Sequence, residues 1–345
     1  MTLLRLMACA AVLAGSVVAA SEPRPLPDAL TTHAIASTRA AGTAMLALAY
    51  AGKRVVAAGE RGIVQWSDDG GAHWTQAAVP VQVSLTGLRF ADDRVGYAVG
   101  HLGVILKTVD GGANWQLKLD GQRAASLMAE ALRAAGQDKE AARHAVEGPD
   151  KPFFDVEVLD AQRALAVGAY NLAFLTEDGG AHWRPVSTLL PNPRGLHLYC
   201  VRLQGSSLFV AGEQGLLMRS NDGGKSFESL PTPYKGSFFG LLPMRPRGLM
   251  AFGLRGNAYR SLDDGQTWDK AETSSSASLN AGLQFTDGTL ALLAQTGDVL
   301  LSRDGGLHFT LHPGDGIPAA SFVAVGSRQL LIASLRGPRR ASPTP

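Results

Sequence analysis

The groups in this chain that could do chemistry, carboxylates, hydroxyls and imidazoles, recur together in one eight-residue pattern. It occurs six times, as Ser67–Trp74, Thr108–Trp115, Thr176–Trp183, Ser220–Phe227, Ser261–Trp268 and Ser302–Phe309. Every copy has a hydroxyl at position one and Gly at position five. Asp stands at position three (Asp69, Asp110, Asp178, Asp222, Asp263, Asp304) and an aromatic at position eight (Trp74, Trp115, Trp183, Phe227, Trp268, Phe309). Paired carboxylates such as Asp68 and Asp69 could serve acid–base chemistry, and the imidazoles at position seven (His73, His182, His308) could ligate a metal. The recurrence favours a third use. Hydroxyl and carboxylate hold the backbone of a tight turn, and Gly supplies positive φ. The aromatic opens the next strand and packs between neighbouring sheets. Three imidazoles at a repeat position are not a cluster, and no spacing matches a zinc or calcium site, so no metal and no cofactor is expected.

A second signature precedes each turn: Gly59-Glu60-Arg61-Gly62, Gly100-His101-Leu102-Gly103, Gly168-Ala169-Tyr170-Asn171, Gly212-Glu213-Gln214-Gly215, Gly253-Leu254-Arg255-Gly256 and Ala294-Gln295-Thr296-Gly297. A degenerate seventh is Ser334-Leu335-Arg336-Gly337. Short β-rich runs flank the six complete copies, which reads as a hairpin with a two-residue loop. No helix or GK[ST] follows, so the glycines are not a phosphate loop. Each unit is therefore strand A, strand B, glycine hairpin, strand C, Asp-box turn, strand D. The hairpins end at 62, 103, 171, 215, 256, 297 and 337, a period of 40 to 44 residues with one step of 68. Four strands at that period predict an all-β, seven-bladed β-propeller of antiparallel blades. The seventh blade lacks its box, and a segment near Ala29–Ser37 is expected to supply its outer strand. The long step holds the one helical stretch, a small insert over 121–150 with helices at Ala124–Ala135 and Asp138–Val146. It joins blades two and three on the rim that carries the glycine hairpins, opposite the boxes.

Composition agrees with a single large β domain. The chain has 345 residues, 40 Gly and 18 Pro, is 46% hydrophobic and 18% charged, and carries a net charge of +2. So many apolar residues exclude extensive disorder, and so small a charge argues against nucleic acid as partner. Residues 1–20 read as a signal peptide ending near Ala20, with the periplasm as destination. A lipoprotein signal at Leu6-Met7-Ala8-Cys9 is disfavoured because the apolar run continues past Cys9. No later run is long enough to span a membrane. The propeller is placed at 21–340 as a monomer, with Pro338–Pro345 fraying into a disordered tail at 341–345. Cys200, alone after export, reads as a buried hydrophobe.

Asp-boxes after V-A/V-G-x-x-G strands, seven blades and an export signal resemble the photosystem II stability/assembly factor family of BNR-like propellers, over roughly Leu26–Arg340. The resemblance implies a non-catalytic factor that holds a membrane subunit during assembly. In bacteria without photosynthesis it implies an exported partner of an envelope complex or of transport machinery. Asp-boxes also occur in sialidases, the alternative reading as a glycoside hydrolase or glycan-binding propeller. There the boxes are structural, the Arg-Ile-Pro signature is absent here, and neither Tyr170 nor Tyr234 has an evident Glu partner nearby in sequence; an enzyme is not expected. Binding is expected on the hairpin rim, where the tips differ between blades: Arg61, His101, Tyr170, Glu213, Arg255 and Arg336. The arginines suit carboxylates or carbonyls of a partner segment.

Overall fold

The computed structural model describes residues 28–326 and 329–342. Seven antiparallel sheets follow one another along the chain, six of four strands and one of three. Their A strands are Met45–Ala51, Leu85–Phe90, Phe153–Val158, Leu198–Gln204, Phe238–Pro243, Leu279–Gln284 and Ala319–Val325, for blades one to seven. The strands pair in sequence order, A to B to C to D, as a propeller requires.

Strand B lies second in each blade, with neighbouring blades on both of its faces. It therefore reads as a continuous apolar run, such as Leu290-Ala291-Leu292-Leu293-Ala294, every residue of which is buried. The apolar clusters form between blades and not within a single centre. Val56 and Ala58 of blade one pack with Leu85, Ala98 and Leu106 of blade two. The same arrangement repeats around the ring to Ala57 and Leu331, which join blades one and seven.

Between blades two and three, helices α1 (Gly121–Ala134) and α2 (Asp138–Glu147) form the insert. Asp120 caps α1 by accepting a hydrogen bond from Arg123 N at 2.9 Å, so the helix starts three residues earlier than the sequence suggests. Ala124, Met128 and Leu132 of its inner face are buried with Ala141 of α2 and Phe153 of blade three.

The closure of the ring differs from expectation. Residues 29–37 add no strand to blade seven. They lie along blade one, where Ala34 N donates to Val79 O and Gln82 N donates to Ala29 O. The Gln76 side chain holds Ser37 N and Ile35 O. The carboxamide and the linker carbonyl of blade one outcompete the blade-seven edge for this segment. The ring closes instead through side chains, including Tyr50 Oη donating to Ala324 O at 2.6 Å. The expected frayed tail is also partly a strand: Gly337–Ala341 is strand C of blade seven, paired with Gln329–Ser334. The expected signal peptide and residues 343–345 lie outside the described residues.

Candidate functional site

On one rim, the six box turns repeat a single hydrogen-bonding pattern. In blade four, Asp222 Oδ1 accepts from Ser220 Oγ at 2.8 Å and from the amides of Lys225 and Ser226. Ser220 Oγ accepts from Gly224 N at 2.8 Å. Asp69 and Asp304 have the same partners in kind, with His73 and His308 ring nitrogens 2.6 Å from the second oxygen. So much donation stabilises the carboxylate form. The amide and side chain of His182 hold Asp178 at about 2, and Thr267 does the same for Asp263. Each box aromatic packs against the preceding blade: Trp183 meets Tyr97 edge-on with ring centres 5.8 Å apart. The turns engage the box hydroxyls and carboxylates, and no set of three or more His, Cys, Asp or Glu among the described residues could hold a metal.

Basic side chains of one blade also reach the box of the next. Arg54 donates to Asp110 O and Gly111 O, Lys107 to Gly179 O, Arg219 to Asp264 O and Arg260 to Gly305 O. Arg340 of blade seven donates to Gly70 O at 3.0 Å and so ties the end of the ring to its beginning.

The opposite rim is built from the glycine hairpins, and it is not uniform. In blade one, Ile63 N donates to Glu60 O, with Arg61 at φ 53° and Gly62 at φ 72°. Both central residues have positive φ, which matches the twist of the flanking strands. The central pair thus falls one residue later than the Gly-flanked pair expected. Gly62 admits no side chain, because a Cβ there would sit 2.0 Å from Val81 O. Leu102, Tyr170, Gln214 and Arg255 take the left-handed position in their blades, at φ 51° to 56°. Blades six and seven keep the expected pair: Gly297 N donates to Ala294 O across Gln295 and Thr296, and Ser334 pairs directly with Gly337 across Leu335 and Arg336.

Of the six expected rim residues, Arg61, His101, Tyr170, Arg255 and Arg336 are exposed. The guanidinium groups of Arg61, Arg255 and Arg336 have no ion pair among the described residues. Glu213 is half-buried and braces the loop, accepting from His197 N at 2.8 Å. Tyr170 N donates to His197 Nδ1, and the two rings lie 4.5 Å apart. His197 therefore connects Tyr170 and Glu213. The other tips remain separate, each on its own blade.

Within the ring of rim tips the A strands surround a cavity of about 520 Å3. The second residue of strand A faces its mouth, and in blades three, four and five that residue is Phe154, Tyr199 and Phe239. Ring centres are 5.4 Å apart for the first pair and 5.3 Å for the second, so the three form an arc that His197 extends toward Tyr170. The fifth residue of strand A supplies alternating charge, Arg89, Glu157 and Arg202 in blades two, three and four. Arg202 pairs with Asp155 and lies 4.0 Å from Glu157, which is 3.7 Å from Arg89. Burial raises the Glu157 carboxyl above its ordinary value despite the two arginines. Burial opposes the charge on Arg202, but Asp155, Cys200 and Glu157 outweigh it and hold its affinity for protons high. The floor is thus charge-balanced, with two carboxylates answered by two guanidiniums. Beside them Cys200 is buried, and desolvation pushes its thiol up to about 12, as suits a packing residue.

Single-position reading missed the aromatic arc and the charged floor. Alignment of the repeats on strand A would have found both, because each occupies one strand position in three consecutive blades.

A family model described as the Photosynthesis system II assembly factor YCF48 matches residues 137–315, just over half of the chain. The chain belongs to that family. It is 28% identical over 171 residues to the Photosystem II assembly lipoprotein Ycf48 of Synechococcus sp. (strain CC9902), a match covering 47% of each protein. The chain thus matches about half the length of this curated relative. Among solved structures, YCF48 bound to D1 peptide is similar, with a TM-score of 0.66 at 14% identity, over 88% of this chain and 95% of that one. YCF48 from Cyanidioschyzon merolae gives 0.64 at 15%, over 89% and 97%. The Niastella koreensis GH74 enzyme gives 0.61 at 13%, over 87% and 52%. At such identities the likenesses show the fold alone. No helix among the described residues is long and apolar enough to cross a membrane.

Proposed function

We propose that this chain is an exported, non-catalytic scaffold that holds an extended segment of a membrane-complex subunit on its hairpin rim. The observation that carries the reading is the contrast at the mouth of the cavity. Exposed arginines with no ion pair among the described residues, Arg61, Arg255 and Arg336, stand on the rim at blades one, five and seven, and an arc of aromatic rings lines blades three to five. Guanidinium groups suit the carboxylates or carbonyls of a peptide, and the rings suit its apolar side chains. His101 and Tyr170 complete the contact surface, and Glu213 supports it through His197. A YCF48 relative has been solved with a D1 peptide. This supports an extended segment as the ligand class here, and family membership supports assembly as its purpose.

Export through residues 1–20, with action in the periplasm, belongs to the same reading. The lipoprotein name of the Synechococcus relative gives weight to the other signal, in which Cys9 would be lipidated. Intact mass separates them: a mature chain starting at Ser21 supports cleavage near Ala20, and a diacylated chain starting at Cys9 replaces it.

The deciding experiment is crosslinking and pull-down of the tagged mature protein from its native envelope, read by mass spectrometry. One membrane complex should be recovered and then lost when Arg61, Arg255 and Arg336 are changed to Glu. Recovery unaffected by the triple change would overturn the rim. Turnover of a glycoside that depends on Glu157, with no complex recovered, would replace the scaffold by a hydrolase.

A further inference from the structure

Blade seven has no fourth strand among the described residues, and the other blades specify what would fit there. In blade four, Arg219 of strand C stands opposite Glu228 of strand D. One arm of its guanidinium reaches the next box at Asp264 O, and Nε and Nη2 bind Glu228 at 2.9 and 2.7 Å. In blade five, Arg260 stands opposite Asp269 and divides its bonds in the same way, between Gly305 O and that carboxylate. Blades one, three and six have Trp66, Leu175 and Leu301 at this position, and strand D there offers Thr75, Arg184 and Thr310. In blade two Lys107 faces Gln116. Only the two strand-C arginines face acids.

Arg340 is the third arginine at this position. It pairs with Leu331, as Arg219 pairs with Phe209 and Arg260 with Met250. Its reach to the next box is made, at Asp69 O and Gly70 O. Its second reach is not: Arg340 is exposed and has no ion pair among the described residues. Beside it runs a strand edge with no neighbouring strand among the described residues, a template for another chain.

We propose that the outer edge of Gly337–Ala341 takes an extended segment of a partner polypeptide, added as the fourth strand of blade seven with Asp or Glu opposite Arg340. Main-chain pairing supplies affinity, and the acid–arginine pair sets the register. The chain's own residues 29–37 are committed to blade one. This edge is independent of the hairpin rim, so either can fail alone.

The probe is a labelled, end-blocked peptide copied from blade four, Lys225–Leu230, with its glutamate at the paired position. Fluorescence anisotropy on the mature chain should show saturable binding, and hydrogen exchange should slow at Arg339–Ala341. Lysine in place of the peptide's glutamate should weaken binding about tenfold, and Arg340→Glu should reverse the preference. The peptide exchange requires no protein variant, so a destabilised Arg340→Glu would not spoil the test. Equal binding of both peptides, no saturation at millimolar concentration, or protection elsewhere would overturn the proposal. So would binding only to a chain truncated before Asp28, which would make its own N-terminal segment the occupant. A dimer that Arg340→Glu dissolves would instead assign the edge to a second copy.

Discussion

The two rims of the propeller, one with six box turns and the other with seven hairpins, differ in almost every chemical respect. At the box rim, six turns repeat one set of bonds, and each carboxylate has its acceptor capacity used within its own turn. At the hairpin rim the left-handed tip recurs in five blades while the tip side chains change from blade to blade, and Arg61, Arg255 and Arg336 have no ion pair among the described residues. Repetition with full hydrogen bonding is what a fold needs from its sequence. Variation on a fixed backbone is what recognition needs. If that division is correct, substitutions at the box rim cost stability, and substitutions at the hairpin tips cost only binding.

The largest effect should come from beneath the variable rim. The cavity floor lies on the recognition side, but its bonding resembles that of the boxes. Asp155 binds Arg202 and accepts from Val201 N at 3.0 Å. Asp155→Ala would leave the half-buried Arg202 guanidinium without its nearest counter-charge and Val201 N without its acceptor, at a cost of about 3 kcal/mol. The urea midpoint measures this. A change below about 1 kcal/mol would mean that water reaches the floor freely, and that it belongs with the binding surface.

A smaller loss is expected at a single box. Thr176 is buried, and its hydroxyl accepts from the buried Gly180 N at 2.9 Å. Thr176→Val keeps the shape and removes the acceptor, at about 1–2 kcal/mol. The equivalent change at Ser220 should add to it, because the boxes lie in different blades and share no hydrogen-bond partner. A double variant much less stable than the sum would show that boxes cooperate around the ring.

Acid distinguishes the rims without any substitution. Asp178 and Asp263 have folded values of about 2 against 3.8 unfolded. Between those values the unfolded chain binds more protons, so folding is favoured above 3.8 and loses that support as pH falls toward 2. The midpoint for urea should therefore drop steeply below about pH 4, and Asp178→Asn should flatten the slope. An unchanged slope would mean that another set of carboxylates governs acid unfolding.

These expectations explain why the sequence revealed the fold so much better than the site. The boxes are legible because turn chemistry is local: hydroxyl, carboxylate and glycine within five residues meet each other and little else. Blade count, strand order and insert all follow from that spacing. The Phe154–Tyr199–Phe239 arc joins residues about 40 apart, and the Arg89–Glu157–Arg202 floor spans three blades. Each member looks like an ordinary strand residue until the blades are superimposed. The closure was misread for a related reason. The bonds that hold residues 29–37 come from Gln76 and the Val79–Gln82 linker, and nothing in the segment itself names those partners.

The smallest change in stability is the sharpest test of the division between rims. Arg61, Arg255 and Arg336 are exposed, and their side chains lose no hydrogen bond or ion pair on truncation. Their backbones keep the left-handed tip in blades one and five whether the side chain is Arg or Ala, although Ala enjoys no special ease there. Each Arg→Ala change should thus move stability by less than about 0.5 kcal/mol. Three together should leave the thermal midpoint within a few degrees of the parent. The same triple variant should release the partner captured by the parent protein. If it unfolds early, the arginines are part of the scaffold and the hairpin rim is no more free than the boxes. If it stays folded and still binds, recognition lies in the aromatic arc, and Tyr199→Ala becomes the change that should abolish it.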